Sequence, residues 1–188
     1  YKRSSDFEPT AMDNVNISVD SYRKLYEELI STSQDEQLKP GYVANTLANA
    51  TRFNYLPQAL GFTIARMLHL GYLPMILLGR IWNLAAAVFL MYFGLKKLPF
   101  GKTIFAIIGM LPITLQQVMS CSYDPVLIGC AYIFVGYCLF LAYTEEEVYL
   151  NDIIIMMLSG GMLAACKGGV YLPLVFLILL IPFKRKLF

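Results

Sequence analysis

Charge is scarce in this chain, and what chemistry-bearing residues it has are not spaced for chemistry. Charged residues make up 15% of 188, too few to cover a soluble domain of this size. The formal net charge is +2 without a basic stripe, so nucleic acid is not an expected partner. Cys121, Cys130, Cys138 and Cys166 stand in or beside apolar runs with no C-x-x-C or Cys/His spacing. That excludes a disulfide framework or a zinc set and leaves four small core residues. The dinucleotide, P-loop, nucleophile-elbow and H-E-x-x-H motifs are all missing. No cofactor is expected, and the sequence leaves open whether a divalent ion assists. The chain begins with Tyr1 rather than Met, shows no signal peptide within itself, and stops just after Lys184-Arg185-Lys186. We read it as a piece of a longer protein.

What the chain does have is apolar length, with 57% hydrophobic residues. Two runs, 103–121 and 125–143, meet at Ser122-Tyr123-Asp124-Pro125. Each reaches roughly 28 Å as a helix, about one hydrocarbon core. The reading is all-α: a polytopic helical membrane protein with about five transmembrane helices. Residues 1–51 form an extracytoplasmic loop and 52–188 the membrane domain. Within 1–51, Tyr22, Leu25, Tyr26, Leu29 and Ile30 make one apolar stripe of an amphipathic helix over 20–33. It packs on its neighbours or lies on the bilayer. Residues 56–70 are too short to span and read as an interfacial helix. Spans follow at 72–95, 103–121, 125–143, 153–166 and 170–182.

Sidedness comes from the basic residues. Lys96, Lys97 and Lys102 place the 96–102 loop in the cytoplasm. The next span, kinked at Pro112, carries Asp124 to the outer face. Gly129, Ala131 and Gly136 allow close approach in the returning span. Residues 144–152 are then cytoplasmic despite Glu145, Glu146 and Glu147. A break at Gly168-Gly169 puts Lys167 outside and the basic tail inside. Tyr72 and all residues before it are extracytoplasmic, with a further span upstream.

Arg66, Arg80 and Lys167 converge toward one face as a cationic pocket at headgroup level that suits an anionic lipid phosphate. Asp124 is a carboxylate at the outer mouth of the bundle, able to bind a cation or a sugar hydroxyl. Asp124 before Pro125 also reads as a helix cap, and Lys167 as a snorkelling residue. Arg80 lies about 12 Å along its helix, a depth at which arginine faces the bundle interior, with Asn83 or a carbonyl as partner. His69, three residues after Arg66, reads as a surface residue.

Several segments in order resemble one bacterial family of predicted membrane proteins of unknown function, domain of unknown function 2142. They are Tyr55-Leu56-Pro57-Gln58-Ala59-Leu60-Gly61, Leu78-Gly79-Arg80-Ile81-Trp82-Asn83-Leu84, and Leu98-Pro99-Phe100-Gly101-Lys102. Ser122-Tyr123-Asp124 and Lys167-Gly168-Gly169-Val170-Tyr171-Leu172-Pro173 complete the set. The resemblance extends to the C-type multi-span glycosyltransferases. It implies glycosyl transfer, with inversion, from a polyprenyl-phosphate-linked sugar in the plasma membrane, serving the cell envelope. Arg66, Arg80, Asp124 and Lys167 would then bind the lipid-linked donor. The superfamily's catalytic Asp-Glu pair is not found near Tyr1, so it lies upstream or the activity is absent; no catalytic base is named. The alternatives are a non-enzymatic transporter or flippase subunit for an anionic lipid or envelope polymer, and a structural membrane protein.

Overall fold

The computed structural model describes Arg23 and residues 52–144, 148–166 and 170–181. The amphipathic helix over 20–33 (Arg23 excepted), the acidic 145–147 run, Lys167-Gly168-Gly169 and the basic tail lie outside the described residues. Among those described, every element is helical and there is no strand. A 3-10 turn, Arg52–Tyr55, runs directly into α1, Leu56–Met67. Then come α2, Tyr72–Lys97; α3, Lys102–Met110; α4, Pro112–Val118; and α5, Asp124–Tyr143. α6 is Leu150–Ala165, and α7, Leu172–Val175, continues as a 3-10 turn, Phe176–Leu180.

Two of these, within α2 and α5, are long and apolar enough to cross a membrane. The expected count of five is not reached by helices of that length among the described residues. The 103–121 run is two helices because Pro112 has no N–H for the Ile108 carbonyl and pushes Leu111 into an extended conformation. The Thr114 hydroxyl donates to that carbonyl instead, at 2.8 Å. α6 has 16 residues, roughly 24 Å. Residues 170–182 were expected to span, yet their described part contains only the short α7 and a 3-10 turn.

α2 acts as a spine with different partners along its length. Its second half packs against α5, with Leu90 on Gly129 and Gly94 on Tyr132 and Gly136. Contact numbers rise together along both helices, so α2 and α5 are parallel. A Cβ on Gly94 would strike the Tyr132 backbone, and one on Gly136 the Gly94 carbonyl. This is the close approach that drives association where lipid offers no hydrophobic gradient. α3 returns antiparallel beside them, its Gly109 against Met91. The Tyr132 hydroxyl donates to the Phe105 carbonyl at 3.0 Å. α6 covers the other side of α5, where Leu127, Phe134, Tyr137, Cys138, Met156 and Leu163 form the core. The first half of α2 belongs to α1 instead. Gly61 abuts the Leu78 carbonyl and Gly79, and Phe62 covers Gly79. The turn joining these two helices places His69 at φ +52°, a left-handed conformation.

One end of the bundle is closed by charge. Lys97 Nζ lies 2.7 Å from Asp152 Oδ1 and 4.4 Å above the Phe140 ring. Asp152 also accepts from the Tyr149 N–H, boxing the start of α6. A cation in the last turn of α2 and an anion in the first turn of α6 both suit their helix dipoles. Residues from 96–102 and 144–152, which the charge pattern puts on one side of a membrane, meet here.

Two outcomes follow. Gly94→Val should destabilise the detergent-solubilised protein by roughly 1–3 kcal/mol through overpacking, whereas Gly161→Ala, with nothing within 4 Å of its Cβ, should not; comparable losses of thermal stability would refute the crossing. Lys97→Met should lower the unfolding temperature more than Asp152→Asn. It leaves a carboxylate that is 8% exposed without its cation, a penalty of roughly 1–3 kcal/mol, while asparagine keeps an acceptor for Tyr149.

Candidate functional site

The other end of the bundle is closed by amides and hydroxyls. Where α2 passes from α1 to α5, Asn83 is completely buried. Its Nδ2 donates to Gln58 Oε1 on α1 at 3.2 Å and to the Ser120 carbonyl at 2.6 Å. Ser120 lies between α4 and α5, so one side chain joins three parts of the chain. One turn before Gln58, Asn54 is also fully buried and donates from Nδ2 to Cys166 Sγ at 3.2 Å. That brings the end of α6 into the same layer.

The corner leading into α5 completes it. Ser120 Oγ is 2.7 Å from Ser122 Oγ; Ser122 donates to Asp124 Oδ2 at 3.2 Å and accepts from the Asp124 N–H. The Tyr55 ring meets Tyr123 edge-on, centroids 6.1 Å apart. Burial pushes the Tyr55 phenol up, and Tyr123, Asp124 and Cys166 push it the same way; it remains a neutral hydroxyl through physiological pH. Two acceptors in the layer, Asn54 Oδ1 and Asn83 Oδ1, are buried with no hydrogen-bond partner. Buried amide oxygens are seldom left so.

The sequence-derived site residues fare differently. Asp124 lies in the layer, but as the first residue of α5; the cap position is Tyr123, with no side-chain cap bond. The Asp124 carboxylate engages Ser122 and complements the start of the helix dipole. Arg80 does not face the bundle interior and does not pair with Asn83. Its side chain is exposed, and its guanidinium lies beside the Cys121 thiol. The depth argument measured Arg80 from the start of α2, whereas the bundle around α5 opens only at Asn83. Arg66 is exposed in the last turn of α1, roughly 12 Å along the helix from Gln58; the structure does not bring it into the layer. Lys167 lies outside the described residues, directly after Cys166 in sequence.

Sequence reasoning missed Asn54, Ser120 and Cys166 as a connected set, and treated Asn83 as an accessory to Arg80. The available signal was amide side chains, Asn54, Gln58 and Asn83, in apolar surroundings where each needs a partner. The set offers donors, acceptors and one carboxylate, but no nucleophile–base pair. Among the described residues no group of His, Cys, Asp and Glu could hold a metal ion.

Asn83→Leu should cost roughly 1–3 kcal/mol, because the Ser120 carbonyl and Gln58 lose their donor. Adding Gln58→Leu should recover part of that loss. Thermal unfolding of the two single variants and the double would check it, and strict additivity would disprove the bond's contribution.

The family comparison agrees with the apolar architecture. A model described as "Predicted membrane protein (DUF2142)" matches residues 20–188. No curated protein and no solved structure matches the chain. The match therefore supplies membrane residence without an activity, and the chain belongs to the DUF2142 family of predicted membrane proteins.

Proposed function

We propose that this chain is part of the membrane domain of a glycosyltransferase. In this reading it uses a polyprenyl-phosphate-linked sugar at the extracytoplasmic face of a bacterial plasma membrane to modify envelope glycan. The observation that supports it is convergence: Tyr55-to-Gly61, Leu78-to-Leu84 and Ser122-to-Asp124, distant in sequence, each contribute to one polar layer at one end of the bundle. The Leu98-to-Lys102 segment lies at the opposite end and does not enter this argument.

The division of labour follows from side-chain chemistry. Arg80 is uncovered by protein and beside the layer, as a counter-ion for a lipid phosphate must be; Lys167 is proposed as a second cation. Asp124 and the Ser122 hydroxyl suit sugar hydroxyls. In transfer with inversion, the acceptor hydroxyl oxygen forms the new bond to the anomeric carbon while the bond to the phosphate oxygen breaks. The phosphate leaves with the electron pair, and the hydroxyl proton passes to a base that we do not assign within this chain. Holding the phosphate's charge is the protein's main electrostatic task. Arg66, far along α1, is not retained in this set.

Binding in nanodiscs tests the reading. Undecaprenyl phosphate should bind the full-length protein, and Arg80→Ala should weaken it about tenfold while Arg66→Ala stays within about twofold. Co-purified prenyl phosphate, detected by mass spectrometry, would add support. Binding indifferent to Arg80 would sink the proposal.

A further inference from the structure

The polar layer is short of donors, and that shortage specifies a ligand. The Ser120 carbonyl can only accept, so the 2.6 Å contact fixes the Asn83 amide with its nitrogen toward Ser120. Its oxygen is then the buried atom without a donor. Both Asn83 amide hydrogens are committed, one to Gln58 and one to Ser120. The Ser120 hydroxyl lies 2.7 Å from the Gln117 carbonyl and the Ser122 hydroxyl 3.2 Å from Asp124. Asn54, one turn from Gln58, presents a second unpartnered oxygen, and it too is fully buried. Asp124 adds a carboxylate, an acceptor when ionised. The ionised phosphodiester of a lipid-linked sugar brings acceptors only and cannot satisfy these atoms. A hydroxyl can, because it brings a hydrogen.

We infer that the layer formed by Asn54, Gln58, Asn83 and Asp124 is a hydroxyl-reading subsite, separate from the cationic position at Arg80. It takes the polyol part of a ligand whose phosphate lies outside the layer. This rests on the lipid-phosphate reading above and deepens it, since it assigns the two ends of one ligand to two sets of side chains. A water molecule would satisfy the same oxygens; the test separates the two.

Trp82 is the chain's single tryptophan, adjacent to Asn83 and 38% exposed, so its fluorescence reports on the layer. Wild-type full-length protein in nanodiscs is titrated with undecaprenyl phosphate and with the same lipid phosphate carrying one glucose. The glucose-bearing lipid should bind at least tenfold tighter. Asn54→Leu, similar in shape but without the oxygen, should bring that ratio to within about twofold while leaving binding of the bare lipid phosphate unchanged. Asn54→Asp, which keeps an oxygen there, should retain most of the preference and serves if the leucine variant does not fold. Equal binding of both lipids by the wild type, or a preference that survives Asn54→Leu, overturns the subsite and assigns the oxygens to water. Failure of either lipid to bind overturns the lipid-phosphate reading and the subsite together.

Discussion

The arrangement depends on one buried amide. Asn83 sits in a helix whose neighbouring residues, Arg80 apart, are apolar, and without partners such a side chain costs several kcal/mol in a water-poor interior. Its position is therefore defined by whatever satisfies it. Here that is Gln58 from the preceding helix and the Ser120 carbonyl from the corner before α5. Apolar contacts are tolerant of sliding by a fraction of a turn, whereas a 2.6 Å bond to a carbonyl is not. The bond fixes where α1 ends its run along α2 and where α5 begins its own.

The two ends of α5 are consequently held by different physics. At the Lys97 end a formal ion pair is backed by two aromatic rings and a helix-capping box. The pair is satisfied internally, and nothing further is needed from a ligand. At the Asp124 end the contacts are hydrogen bonds of amides, hydroxyls and one carboxylate, spread over several pieces of chain, and incomplete, with two amide oxygens lacking donors. One pair of helices thus carries an ion pair at one end and two unmet acceptors at the other. The contrast also explains why charge content was a poor guide to the candidate site: the Lys97–Asp152 ion pair stands at the end away from the two unpartnered amide oxygens found among the described residues.

Much of the architecture was legible because it follows from local rules. Pro112 interrupts its helix as its missing N–H requires, and Gly129 and Gly136 lie at the helix crossing where small residues permit contact. The apolar runs at 72–95 and 125–143 fall on α2 and α5. What was not legible is what depends on register between helices. Arg80 and Asn83, one turn apart, read as partners, yet they point to different neighbours because α1 covers only one face of α2. Depth from a helix start cannot reveal that the first half of α2 continues past the opening of the bundle. The Asn54–Cys166 contact joins residues more than a hundred positions apart, and no periodicity encodes it. The short helices after Cys166 depart from the expected span because apolar composition specifies what a segment avoids, not its backbone conformation.

The same register argument bears on what the site could do. The expected cationic pocket required Arg66, Arg80 and Lys167 to converge on one face. With Arg66 displaced along α1 and Arg80 exposed beside Cys121, the two described cations do not meet in one cluster but lie outside a layer of amides, hydroxyls and one carboxylate. An amide layer discriminates by the pattern of donors and acceptors, whereas a cluster of arginines would hold any phosphate of suitable reach. On the proposed reading, selectivity would therefore rest with Asn54, Gln58 and Asn83 rather than with the charged residues. The single carboxylate of the layer, bonded to Ser122 within its own turn, is suited to orienting a hydroxyl. On the proposed reading a transfer reaction would need its proton acceptor from elsewhere, which leaves holding and identifying the donor as the role proposed for this domain.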